Sequence, residues 1–175
     1  MQFPRPSEEN GFLAEHITLL RYSFRHWTGH DLVDPRLSAV DAARYIFFGR
    51  FVLVSHDTAP DPVFNYGNQT ALALFGLPWS EFTALPSRCS AEPVTQGERT
   101  QLLTEVSAKG FIDHYQGIRI AHGGQRFRIE QTTVWNVIDS SATPYGQAAM
   151  FRHWTLLDDQ DMASRPHQAA DDTAS

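Results

Sequence analysis

After Gly110 the chain is strand-rich to about Thr155, and that stretch limits the possible folds more than any other feature. Phe111–His122 and Gln125–Ile138 read as two strands, and Gly123-Gly124 between them is a two-residue hairpin signal. A third strand, Tyr145–Thr155, follows a loop of Asp139, Ser140, Ser141 and Pro144. Within the second strand Phe127, Ile129, Gln131, Thr133, Trp135 and Val137 share one face, which predicts Phe127, Ile129 and Trp135 facing the helices.

The first half is helical with short strands. Leu13, Ile17, Leu20, Phe24 and Trp27 form an a/d-like stripe on a helix from Asn10 that Gly29 ends. Asp34-Pro35 reads as an N-cap with proline at the first helical position, opening a second helix to about Phe48. Phe51–Val54 and Val63–Tyr66 are short strands around the turn cluster 57–62. Asn68 caps a small helix closed by Gly76, and Pro78 to Thr83 gives one further turn. Thr95 and Glu98 have capping-box spacing before a helix carrying Leu102, Leu103 and Val106. The order predicts an α+β fold, an antiparallel sheet with helices on one face, preceded by two N-terminal helices. The expected divisions are a flexible tail at 1–9, a helical segment at 10–48, a core at 49–156 and a disordered acidic tail at 157–175.

Composition narrows the function. A chain of 175 residues, 42% hydrophobic and 12% aromatic, is long enough and apolar enough for one packed domain. Its charge is −6 and Lys109 is its only lysine, so no basic stripe exists to displace counterions, and no direct nucleic-acid partner is expected. Cys89 stands alone, which excludes an intrachain disulfide and a cysteine-based zinc site. Pro4, Pro6, Glu8 and Glu9 interrupt the start where a signal peptide needs an apolar run. The charge-free stretch 62–80 is too polar to span a membrane. A soluble, cytoplasmic protein without a membrane partner is the expectation.

The stretch Phe64-Asn65-Tyr66-Gly67-Asn68-Gln69-Thr70-Ala71-Leu72-Ala73-Leu74-Phe75-Gly76 resembles the passage from second strand to first helix in PAS domains. The second half is similar to the MEKHLA family, a PAS-like group, through Tyr115–Ile120, Arg126–Glu130, Val134-Trp135-Asn136 and Gly146–Ala149. That family includes a C-terminal copy in plant class III homeodomain–leucine zipper regulators and stand-alone bacterial and algal versions. The resemblance implies a sensory or regulatory role: binding of an unidentified small molecule, a protein partner, or both. It supplies no catalytic residues. No homeodomain or zipper segment is seen, so the DNA-binding role does not carry over, and signalling would need a separate effector chain.

A PAS-like sheet leaves a pocket beneath its helices, and the expected ligand contacts are Trp135, Gln147 and Phe151, with Asn136 in the other register. The competing reading of Gln147 is a core amide satisfied by the backbone. In light-oxygen-voltage sensors a cysteine before the long helix forms a flavin adduct, which makes Cys89 a candidate reactive thiol. Ser87-Arg88-Cys89-Ser90-Ala91 departs from that pattern, and an inert thiol is the preferred reading. Residues 96–109 lack the histidine from which sensor haem hangs. Neither flavin nor haem is expected, and the cofactor is left unassigned. His26 and His30 are read as surface residues rather than as a metal pair.

The alternative function is a small α+β pocket enzyme, isomerase- or dehydratase-like, using His56-Asp57 or Asp113-His114 for acid–base work. Arg119, Arg126, Arg128 and Glu130 read as alternating solvated charges, with an anionic-ligand or partner site as the other option. The stripe Leu13, Ile17, Leu20, Phe24, Trp27 must bury its apolar face. A homodimer interface is the preferred expectation, and packing on the outer face of the chain's own sheet is the alternative.

Overall fold

The computed structural model describes residues 2–92 and 96–158. An antiparallel sheet runs in the order β2-β1-β5-β4-β3, from β1 (Val52–His56), β2 (Phe64–Gly67), β3 (Phe111–Ile120), β4 (Arg126–Ile138) and β5 (Pro144–Phe151). A break at Arg152 separates β5 from β6 (His153–Leu157), and β6 pairs with the first half of β4 while β5 pairs with the second. The expected third strand is therefore two strands. The α+β architecture stands as read.

Helices α1 (Ala14–Thr28), α2 (Ala39–Phe47), α3 (Gln69–Phe75), α4 (Trp79–Phe82) and α5 (Gln96–Lys109) complete the structure. Ser38 caps α2 by accepting from the Asp41 N–H at 3.1 Å, so that helix starts later than Asp34-Pro35 predicts. Thr95 lies outside the described residues. Asn68 does more than cap α3. Its Oδ1 accepts from Ala71 N–H and Leu53 N–H, and its Nδ2 donates to the carbonyls of Ile46 and Phe51. All four bonding positions of this buried amide are filled, tying α2, β1 and α3 together.

The face assignment of β4 changes halfway along the strand. Gln131 has φ +49, a left-handed conformation that interrupts the strand's alternation, and the β3–β4 pairing slips between Tyr115↔Thr132 and Gly117↔Ile129. Before the bulge, Phe127 packs edge-on against Phe75 of α3. After it, Val134 meets Leu102 and Val106 of α5, and so Trp135 points to the opposite face. There its ring meets Phe24 of α1, with centroids 5.0 Å apart. The prediction that Trp135 shares a face with Phe127 and Ile129 is corrected. A strict two-residue count cannot cross a bulge.

Helices therefore cover both faces, α3 and α5 on the inner one and α1 on the outer one. Ile17, Leu20 and Phe24 are buried within the chain, in the same core as Trp135 and Val137. Ser23 fixes the helix by accepting from Ile138 N–H at 2.9 Å and by donating to the carbonyls of Ile138 and Leu19. Trp27 Nε1 donates to the Asn136 carbonyl at 2.9 Å, and Leu13 and Trp27 are partly buried. The stripe expected to form a dimer interface is spent on the chain's own sheet. A dimer through it would require α1 to leave that sheet. Residues 2–9 also make contacts that a free tail would lack: the Phe3 carbonyl accepts from Trp79 Nε1 at 3.0 Å, and Glu8 pairs with Arg44 at 2.6 Å. At the other end Leu157 belongs to β6, and 159–175 lie outside the described residues.

His16 sits in this outer packing, on α1, beside Phe3 and Tyr66. Its Nε2 lies 2.9 Å from Ser55 Oγ, whose own hydrogen goes to Asn65 Oδ1, so Nε2 carries the ring proton and donates. Burial disfavours the imidazolium and lowers its pKa to about 4, from 6.5. Between those values the unfolded chain binds the extra proton, so stability is complete above about pH 6.5 and declines toward pH 4. The loss reaches about 3 kcal/mol, and urea titrations of His16→Leu should show a flatter stability profile across that window. A second expectation concerns Gly110, at φ +94, where a Cβ would run into the Trp27 indole. Gly110→Ala should cost more than about 2 kcal/mol. Gly29→Ala, also at positive φ but in open space, should cost about 1 kcal/mol in the same titrations.

Candidate functional site

The inner face of the sheet and the helices above it enclose a cavity of about 70 Å³. Its sheet wall comes from neighbouring rows of the ladder. Gln147 and His56 stand in one row, and Val134, Ala149 and Val54 in the next, while Asn136 extends the first row beside the cavity without lining it. Phe75 of α3, Leu102 and Leu103 of α5, and Ser87 and Ser90 of the 3-10 turn Ser87–Ser90 form the other side. Phe64, Ile129 and Phe151 add apolar surface. The lining is mostly apolar with a few polar groups.

Gln147 and Phe151 line the cavity as expected. Gln147 Nε2 donates to Asn136 Oδ1 at 3.0 Å, and Asn136 Nδ2 donates to the Val106 carbonyl at 3.0 Å. The register that holds is the one with Asn136 rather than Trp135 on this side of the sheet, since Asn136 is the direct cross-strand partner of Gln147. The partners of the Gln147 amide nitrogen are side chains, not the backbone groups that the competing reading expects. That nitrogen is satisfied, while Gln147 Oε1 is buried without a hydrogen-bond partner. Trp135 takes no part, because the bulge has turned it to α1.

Cys89 is exposed on the 3-10 turn, and the residues of that turn that line the cavity are Ser87 and Ser90. The thiol itself does not line the cavity. His26 and His30 are exposed. Neither His/Asp dipeptide forms an acid–base pair in the cavity. His114 and Asp113 meet at 3.2 Å on an open surface. His56 Nδ1 lies 2.8 Å from the Asp57 backbone oxygen, while the Asp57 carboxylate accepts from Ala59 and Val63 N–H groups.

Three cavity residues carry no pocket signal in the sequence. Thr132 is fully buried on the wall and its Oγ1 has no partner. Tyr115 and Arg119 of β3 also line the space, with Arg119 Nη2 donating to Tyr115 Oη at 3.0 Å. The expectation that Arg119 and Arg126 are solvated charges is corrected for both. Arg126 is likewise half-buried and pairs with Glu92 at 3.2 Å. Among the described residues no helix is long and apolar enough to cross a membrane.

Several solved structures share this fold. The PAS domain of a protein from Colwellia psychrerythraea aligns with a TM-score of 0.54 at 14% identity, covering 62% of this chain and 89% of its own. A light-oxygen-voltage domain studied with a flavin analogue aligns at 0.53 and 16% identity, covering 69% of this chain and 87% of its own. An RNA-binding light-oxygen-voltage receptor aligns at 0.55 and 17% identity over 75% of this chain, which spans 36% of that receptor. At these identities the likeness establishes the fold. No curated protein matches the sequence significantly. The family model of the MEKHLA domain matches residues 14–156, from the first residue of α1 to the end of the sheet, and the chain belongs to the MEKHLA-domain family.

Proposed function

We propose that this chain is a sensory or regulatory module that holds a small molecule in the inner cavity and reports its presence to a separate protein. One observation carries the reading. Thr132 Oγ1 and Gln147 Oε1 are both buried on the cavity wall and both lack a partner. An unpaired buried polar atom costs about 1–3 kcal/mol, a cost that a ligand hydrogen bond would remove. A route for the report also exists: Asn136 bonds Gln147 on the cavity side and accepts from Trp27 of α1 through its carbonyl. Ligand contact with Gln147 would thereby bear on α1, the helix that covers the outer face.

Native mass spectrometry of the purified full chain tests this. The expected spectrum contains a species heavier than the polypeptide that returns to the bare mass on denaturation. A bare native mass, together with no thermal shift from a panel of small metabolites, would contradict the proposal. Thr132→Val adds a second expectation. Removing the unpaired hydroxyl should leave the ligand-free protein as stable or about 1 kcal/mol more stable by urea titration, while ligand occupancy falls.

A further inference from the structure

We infer that the cavity takes a small carboxylic acid with an apolar body, its carboxylate held by Arg119 and the Thr132 hydroxyl. This rests on the ligand-binding reading above. Arg119 stands opposite Phe127 in the β3–β4 ladder and is half-buried. Its guanidinium donates to Tyr115 Oη and to the Ile118 carbonyl, each at 3.0 Å, and lies 5.4 Å from the centre of the Tyr115 ring. Gly117 makes room for this pair, since a Cβ there would approach Tyr115 Oη to 2.5 Å and Arg119 Nη1 to 3.4 Å. These contacts position the guanidinium without neutralising it.

The counter-charge is what the site lacks. Among the described residues no Asp or Glu lines the cavity, and Arg119 takes part in no ion pair. A half-buried guanidinium beside apolar walls has lost part of its hydration, and an entering carboxylate would restore both charge balance and planar hydrogen bonding. Thr132 is the β4 residue paired with Tyr115, so its unpartnered hydroxyl belongs to the same stretch of wall as the guanidinium. As a donor it suits the second carboxylate oxygen. Phe64, Phe75, Ile129 and Phe151 offer the apolar body its contacts.

Size restricts the class further. A cavity of about 70 Å³ has room for about five to seven water molecules, which corresponds to a ligand on the order of ten non-hydrogen atoms. Phenylacetate and hexanoate have the required size and polarity.

Calorimetric titration of the full chain with phenylacetate and hexanoate, and with 2-phenylethanol and 1-hexanol as their uncharged counterparts, tests the assignment. The acids should bind about tenfold or more tighter than the alcohols. Arg119→Gln should erase that difference by weakening acid binding more than alcohol binding, and Arg119→Lys should recover part of it. Amide shifts at Thr132 and Gln147 in the unsubstituted protein should move on adding acid, an observation that does not depend on how the variants fold. Alcohols binding as tightly as acids would overturn the carboxylate assignment and leave the ligand-binding reading standing. No binding by either series overturns the assignment, and a bare native mass alongside it overturns the reading as well.

Discussion

The left-handed residue in the middle of β4 decides what each face of the sheet can do. Because Gln131 inserts a bulge, Phe127 and Ile129 before it and Thr132, Val134 and Asn136 after it all serve the inner face. Without that offset Trp135 would continue the Phe127 face and occupy the space that the cavity now holds. With it, the indole becomes the seat for Phe24, and a strand of 13 residues bears on α3, α5 and α1 in turn. A bulge costs ladder hydrogen bonding locally, and here it is set against burial on both faces of the sheet.

That arrangement makes the N-terminal helices part of the core rather than an addition to it. Ile17, Leu20 and Phe24 share one buried cluster with Leu53, Trp135 and Val137. Ser23 closes the far end of β4, and Asn136 joins α1, α5 and β5 through bonds to Trp27, Val106 and Gln147. Gln147, which lines the cavity, therefore lies one residue's bonds away from the outer helix. Short chains of this kind can bias a two-state element when ligand contacts differ between its states.

Much of the fold is legible in the sequence because its signals are local. Asn68 and Gly76 bound α3 as their types suggest, Gly110 ends α5, and Gly123 and Gly124 lie in the β3–β4 turn, although its loop is the three residues 122–124 rather than the expected two. What is not legible depends on distant chain meeting distant chain. Nothing at Gln131 marks it as left-handed, since a polar residue in an exposed strand position fits a regular strand equally well. The apolar stripe of α1 states only that it must be covered, and the cover is Trp135, more than a hundred residues along the chain. Gln147 stands out as a polar residue among apolar neighbours. Thr132 does not, because it lies past the bulge. Arg119 resembles several surface arginines in sequence, and only its folded surroundings reveal that, among the described residues, no carboxylate pairs with it.

The most direct test of the two-faced sheet is a nuclear Overhauser measurement from the Trp135 indole. Cross-peaks to the Phe24 ring, whose centroid lies 5.0 Å away, are expected, and none to Leu102 or Val106. Cross-peaks from Trp135 to those α5 methyl groups would place the indole on the cavity side and rule out a change of face at Gln131.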